Sequence, residues 1–197
     1  MMSIKRKKNV SGKRGFTLLE TLVAISILVF AITATFTAAQ SSLSVSIDSR
    51  DRITAYYLAQ EAVELVRNVR DENSLYNYQN PSTPRHWLFG LSEAQSDPCY
   101  SGSLGAKKCF VDALTKVFDD CDTPTTCPKL RQDTNTASVT YGLYGHSNSS
   151  WPESMYKREI AFTEISSTEI LLTVTMTWNK GPLTRTFQAK ETLRNWQ

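Results

Sequence analysis

The feature that most constrains this chain of 197 residues is an uncharged run of 27 residues, from Thr21 to Ile47. Its most apolar part, Leu22 to Ala39, contains neither proline nor glycine. An α-helix rises about 1.5 Å per residue and needs roughly 20 apolar residues to cross the hydrocarbon of a membrane. The sequence therefore predicts a membrane-spanning helix near the N-terminus.

Positive charge is concentrated just before this run. Six of the 22 basic residues and none of the 19 acidic residues lie within residues 1–14, so the remainder has a net charge of −3. The six basic residues are Lys5, Arg6, Lys7, Lys8, Lys13 and Arg14. Because basic residues beside a span stay in the cytoplasm, we expect the N-terminus inside the cell and the chain after about residue 40 outside.

Glu20 stands at the head of the apolar run, where a carboxylate is costly and is usually functional. An ordinary secretory signal ends in a small-residue cleavage site, and Ala38-Ala39-Gln40 fits that pattern, but such a signal gives Glu20 no role. A cut between Gly15 and Phe16 would instead create a cationic amino group at the same membrane depth as Glu20. The sequence therefore favours cleavage before the apolar run.

Residues 13–20 have the sequence Lys-Arg-Gly-Phe-Thr-Leu-Leu-Glu. This sequence, followed by an apolar helix, resembles the cleavage and methylation signature of type IV pilins and type II secretion pseudopilins. The resemblance implies that a prepilin peptidase cuts after Gly15 and that Phe16 becomes the N-methylated first residue. It also implies that Glu20 pairs with the amino terminus of a neighbouring subunit. Many major pilins have a proline in this helix, whereas the first proline here is Pro81, which favours a minor pilin of the pilus-modification type or a pseudopilin.

The helix is expected to continue well beyond the apolar run. Apolar residues recur at spacings of three and four, as in an amphipathic helix, at Ala55, Leu58, Ala62, Leu65 and Val69. Asp71-Glu72-Asn73 is the expected end, which gives one helix from Phe16 to about Asp71. The resemblance implies that its first half packs in a filament core and its second half lies on the head of the same subunit.

The C-terminal residues predict three antiparallel strands. Ile170 to Trp178 alternates in the manner of a half-buried strand, and Tyr156–Ile165 and Leu183–Arg194 are its expected neighbours. The short Asn179–Pro182 connection predicts a hairpin. The expected fold class is α+β, with the long N-terminal helix packed on a C-terminal antiparallel three-stranded sheet, as in pilins.

These features divide the chain into five expected segments. They are a basic leader at 1–15, a transmembrane and filament-core helix at 16–40, the amphipathic half of that helix at 41–73, a loop-rich disulfide-containing region at 74–155 and a β-meander at 156–197. The fourth segment is rich in proline and glycine, which favours loops. A short helix is expected there from Asp112 to Phe118.

All four cysteines lie in the expected head, on the side of the membrane predicted to be outside. They are Cys99, Cys109, Cys121 and Cys127. An even number of cysteines in an oxidising compartment predicts disulfides. Three pairings are open, of which the local one, joining the first to the second and the third to the fourth, is preferred. The spacings do not suit a zinc site.

Few other residues suggest chemistry. Asp119-Asp120-Cys121-Asp122-Thr123 offers oxygen ligands for calcium, but it lacks the glycine and glutamate of an EF-hand loop and is predicted to be a solvated turn. Gly145–Ser149 lacks the closing glycine of a nucleophile elbow. His86 and His146 have no acidic partner nearby in sequence. We therefore predict no metal site, no cofactor and no enzyme.

The function expected from the sequence is that of a minor type IV pilin or pseudopilin. Its expected partners are prepilin peptidase, other pilin subunits, the membrane assembly platform and the lipid bilayer, and its expected location is the cytoplasmic membrane and then a pilus or pseudopilus. Pilus, secretion and DNA-uptake systems all remain open. Nucleic acid is disfavoured by the net negative charge after the leader, although Lys107 and Lys108 could contact phosphate. The alternatives are a non-polymerising membrane-anchored binding protein or adhesin, and a tethered hydrolase.

Overall fold

The chain forms one long helix followed by seven strands in a computed structural model that describes residues 15, 17–102, 107–121 and 127–195. Residues 1–49 and 50–197 are separate compact units. The first unit contains the apolar half of the helix, and the second contains the rest of the helix and the whole sheet. The predicted α+β class is therefore confirmed.

Helix α1 spans Leu18–Gln79, so the predicted end near Asp71 is wrong. Asn73 does not stop the helix because its buried side chain serves tertiary packing: Nδ2 donates to the carbonyls of Trp87 and Phe89, each at 3.1 Å. The helix ends instead just before Pro81. A residue preceding proline is disfavoured in helical conformation, and the Asn80 side chain donates to the Tyr76 carbonyl at 3.0 Å.

The sheet has seven antiparallel strands where three were predicted, and this part of the prediction is wrong. The strands are β1 (Lys108–Asp112), β2 (Val117–Asp120), β3 (Lys129–Gln132), β4 (Tyr144–Gly145), β5 (Glu153–Ser166), β6 (Glu169–Lys180) and β7 (Leu183–Arg194). The last three form the predicted meander. The first four have two to five residues each, too few for a recognisable alternation.

The β6–β7 hairpin follows the predicted pattern. Lys180 pairs with Leu183, which leaves a two-residue turn at Gly181 and Pro182. Gly181 has a φ of 59°, which suits glycine at the first central position of a tight hairpin turn. Along β6 the inward residues are buried and alternate with half-buried ones, as the sequence indicated.

The edge of β5 that faces away from β6 is shared by two short hairpins. Cys109 of β1 pairs with Ile160, and Lys129 of β3 pairs with Lys157. The β1–β2 and β3–β4 hairpins therefore pair with different stretches of the same edge of β5. The helix predicted from Asp112 to Phe118 is wrong, because this segment turns back on itself as the β1–β2 hairpin. The Asp112 carboxylate accepts a hydrogen bond from the Leu114 N–H, and this bond stabilises the turn.

The core lies between the second half of α1 and the inner face of the sheet. Its helix residues are Ala55, Leu58, Ala59, Ala62, Val63 and Val66, and its main sheet residues are Tyr156, Ile160, Phe162, Leu172, Val174, Met176 and Trp178. Leu65 and Val69, expected in this stripe, are only partly buried. The stripe is therefore centred nearer Ala59.

A fully buried arginine joins three elements of the core. Arg158 of β5 donates from Nη1 to the Leu58 carbonyl at 2.9 Å and to the Glu61 carboxylate at 2.7 Å, and from Nη2 to the Val111 carbonyl at 2.7 Å. Burial lowers the pKa of Arg158, and the Glu61 charge opposes that shift. The pair therefore ties α1 to β1 and β5.

Two disulfides link the irregular parts of the head. Cys99–Cys109 joins the loop after α1 to β1, and Cys121–Cys127 joins the end of β2 to the segment before β3. Of the three pairings that the sequence left open, the structure has the local one, which was the preferred one.

Candidate processing and assembly segment

The start of α1 is capped by its own sequence. Thr17 accepts a hydrogen bond at Oγ1 from the Glu20 N–H at 3.3 Å, and its carbonyl accepts one from the Thr21 N–H at 3.2 Å. Thr-Leu-Leu-Glu is the sequence of a capping box, in which a threonine N-cap is followed three residues later by glutamate. The helix therefore begins at Leu18, three residues after Gly15.

Gly15 is exposed and lies outside regular structure, whereas Phe16 lies outside the described residues. A Cβ atom built on Gly15 would meet no described atom within 4 Å apart from those of its chain neighbours. Packing within the chain therefore does not require glycine here.

Glu20 is exposed in the first turn of α1. The free N–H groups of a helix N-terminus favour a carboxylate there by about 0.3–1 kcal/mol. In the described part of the chain, no side chain forms an ion pair with Glu20. The structure thus gives Glu20 a local role at the helix end and leaves its carboxylate available to a group from outside the chain.

The apolar half of α1 is exposed on every side, from Leu18 to Ile47. By length and composition alone it qualifies as a membrane span. Its polar side chains do not conflict with such an environment. The hydroxyls of Ser26, Thr33, Thr35 and Thr37 donate to backbone carbonyls one turn earlier at 2.8–3.1 Å. Polar groups satisfied within the helix are compatible with hydrocarbon.

Comparison with known proteins bears on this segment. A family model described as the prokaryotic N-terminal methylation motif matches residues 10–36. The chain carries this methylation motif. It is the signature of type IV pilins and pseudopilins, and it confirms the resemblance found in the sequence. No curated protein and no solved structure matched the chain.

The methylation motif includes Gly15, Phe16 and Glu20, and it extends into the exposed apolar helix. The motif indicates a pilin-like or pseudopilin substrate of prepilin peptidase. Together with the apolar half of α1, it also indicates a membrane-anchored protein.

The other residues singled out in the sequence take mainly structural positions. His86 accepts a hydrogen bond at Nδ1 from the Leu88 N–H at 3.1 Å. Lys108 forms an ion pair with Glu159 at 3.0 Å, and Lys107 lies 3.9 Å from Asp120, so acidic side chains accompany both lysines proposed to contact phosphate. Asp122 and Thr123 lie outside the described residues. Among the described residues there is no group of three or more side chains placed to hold a metal ion.

Sequence reasoning missed the Arg158–Glu61 pair and the surroundings of His146. The ring of His146 packs on Phe110 with centroids 4.5 Å apart. Burial, reinforced by the charge of Arg158, lowers the pKa of His146 to about 4. Neither feature could be seen in the sequence, because the partners are separated by 97 and 36 residues along the chain.

Proposed function

We propose that this protein is a minor type IV pilin or a pseudopilin. It is made as a precursor with its N-terminus in the cytoplasm, cut after Gly15, methylated at Phe16 and assembled with other pilin subunits into a pilus or pseudopilus. Its role is structural and not catalytic. The observation that carries this proposal is the methylation motif at residues 10–36, which extends into an exposed apolar helix.

The exposed helix supports the assembly step. Large apolar side chains along it are uncovered by their own chain, for example Phe30 at 75% and Ile27 at 65% exposure. Such surface is unfavourable in water by about 25 cal/mol for each Å². Lipid covers it before assembly, and the helices of other subunits cover it in the filament core.

In the proposed assembly, Glu20 fixes the position of each subunit relative to its neighbour. A carboxylate that enters a dry filament core without a partner is costly. The methylated amino group of Phe16 in a neighbouring subunit is a cation at the same end of its helix. The Glu20 carboxylate and this amino group can therefore pair in only one relative position of the two subunits. Assembly in any other register leaves Glu20 unpaired.

The absence of proline from α1 supports the minor-subunit assignment. The helix runs from Leu18 to Gln79 and the first proline of the chain is Pro81. Many major pilins, by contrast, have a proline in the apolar half of the helix. We therefore assign this chain to the accessory subunits of a filament.

Filament incorporation is the experiment that tests the function. We expect the head to be found in filaments sheared from the cell surface, and we expect Gly15→Val to abolish this while the head still folds, because an added Cβ at position 15 would meet no described atom within 4 Å beyond its chain neighbours. Wild-type protein that is cut but remains entirely in the membrane would contradict filament assembly and favour an anchored binding protein.

A further inference from the structure

Strand β7 has a long edge that the described part of the chain leaves open. β7 pairs with β6 over its whole length without a register shift, and among the described strands it pairs with no other. In a two-residue hairpin the residues that flank the turn are hydrogen-bonded to each other, and so is every second pair beyond them. The backbone N–H and C=O groups of the remaining residues point away from β6. These residues are Thr184, Thr186, Gln188, Lys190 and Thr192.

This edge is longer and more regular than the other edges of the sheet. Strands β2 and β4 also lie at the ends of the sheet, but they have only four and two residues. Short strands, bulges and prolines are means by which proteins keep an edge from pairing. Between Leu183 and Arg194, β7 has neither a bulge nor a proline. Its backbone can therefore accept a further strand.

Positive charge lies on both faces of β7. Arg185 lies on the side of the sheet that α1 covers, since it pairs with the buried Trp178, and Lys190, five positions on, lies on the outer side. In the part of the chain that the structure describes, neither forms an ion pair. The other two charged residues of β7 are compensated by ion pairs of 2.7 Å within the chain. A partner strand with carboxylates opposite Arg185 and Lys190 is therefore favoured.

An apolar cluster lies on the helix side of the same edge. The Phe187 ring of β7 packs on Tyr56 of α1, and Tyr56 packs on Tyr57, with centroids 5.9 Å apart in both cases. The two tyrosines are 46% and 64% exposed. In an added strand, the residues opposite Phe187 and Ala189 would lie on the same side of the sheet as these rings. Apolar side chains at those two positions would extend the core.

We propose that β7 binds an extended acidic segment of a partner polypeptide, which joins the sheet as an antiparallel strand. Every other pair in this sheet is antiparallel. In this mode of recognition backbone hydrogen bonds supply affinity and side chains supply specificity. The segment has the pattern acidic–apolar–any–apolar–any–acidic, with its carboxylates opposite Lys190 and Arg185. The proposal does not depend on leader processing or on filament assembly.

A charge-reversed pair of peptides tests the binding in the full-length protein in detergent micelles. The probe is acetyl-Thr-Glu-Val-Thr-Val-Thr-Glu-Thr-amide, and in its partner peptide lysine replaces both glutamates. We expect the acidic peptide to bind at least about tenfold more tightly, because it forms two ion pairs where the other brings like charges together. It should also slow hydrogen exchange at the Thr186, Gln188 and Lys190 amides. Equal affinities, or unchanged exchange at these amides, would overturn the proposal.

Methylated peptides test the backbone hydrogen bonds. In the proposed register the N–H groups of the fourth and sixth residues, both threonines, point to β7, and those of the two valines point away. N-methylation of these threonines should weaken binding at least about tenfold, whereas N-methylation of the valines should weaken it much less. Equal effects, or the reverse order, would refute strand addition to this edge.

Charge inversion in the protein completes the test. Lys190→Glu should weaken binding of the acidic peptide and strengthen that of the lysine peptide. Lys116→Glu makes the same change in the exposed β1–β2 turn and should affect neither. Equal effects of the two variants would assign the preference to net charge and overturn the proposal. If Lys190→Glu does not fold, the peptides still decide on the wild type. A dimer whose β7 amides are protected without peptide would assign the edge to a second copy and also overturn it.

Discussion

Glu20 is the residue on which the proposed assembly mechanism depends, and its place in α1 gives it two roles that can be separated. One is local, because a carboxylate in the first turn stabilises the helix N-terminus. The other is the proposed ion pair with a neighbouring subunit. Glutamine occurs at the same position of a capping box but has no charge, so it preserves the first role and removes the second.

We expect Glu20→Gln to leave the head folded and the precursor in the membrane but to lower incorporation into sheared filaments by more than about tenfold. The reason is that an amino terminus brought into a dry core without its partner is an uncompensated buried charge. Glu64→Gln is the matched control, because Glu64 lies on the same helix in an exposed pair with Arg67. Equal incorporation of Glu20→Gln and wild type would refute the ion-pair mechanism.

His146 makes the stability of the head depend on pH. Its folded-state pKa is about 4, below the usual 6.5, because burial disfavours the charged ring. Between these values the unfolded chain binds a proton that the folded chain does not, so stability falls as pH falls from 6.5 to 4. We expect a loss of about 2–3 kcal/mol in urea unfolding between pH 7 and pH 4.5, most of it absent in His146→Phe. The same pH dependence in that variant would assign the effect to other groups.

At the scale of elements, long periodic segments were predictable and short paired ones were not. Strands β5 to β7 follow from the alternation around Ile170–Trp178, and the start of α1 follows from a contiguous motif. The end of α1 was misplaced because the partners of Asn73 are carbonyls 14 and 16 residues further along. Strands β1 to β4 were missed because they form by pairing on distant β5 or on each other.

The candidate sites divide in the same way. Gly15, Phe16 and Glu20 lie within six consecutive residues, so their pattern was readable without a fold. The surroundings of His146 and the Arg158–Glu61 pair are assembled from segments that lie far apart in the chain. Only the fold brings their members together, and no local pattern in the sequence marks them.

The Arg158–Glu61 pair is expected to be a main electrostatic link between α1 and the sheet. Removing one partner of a buried pair leaves an uncompensated charge, so Glu61→Ala should lower the free energy of unfolding by about 2–3 kcal/mol, somewhat reduced because Glu61 is 41% exposed. Glu64→Ala, three residues along the helix in an exposed pair, should cost less than about 1 kcal/mol. Equal losses in the two variants would contradict this role for the buried arginine.

The whole molecule combines a self-sufficient core with a helix surface that its own chain leaves uncovered. Every residue of the main core lies between positions 55 and 193, within the second compact unit. The first unit contributes no buried apolar residue among those that the structure describes. A head whose core is complete without the apolar helix fits the proposed function, in which that helix is first held in a membrane and then transferred to a filament.

The identity of the first residue of the mature protein tests this account most directly. The chain should be expressed with and without a prepilin peptidase, and the N-terminal peptide and the intact mass should be determined by mass spectrometry. The account predicts peptidase-dependent loss of residues 1–15 and a Phe16 that is heavier by one methyl group. An intact leader in the presence of the peptidase, or a mature chain that begins at Gln40, would contradict it.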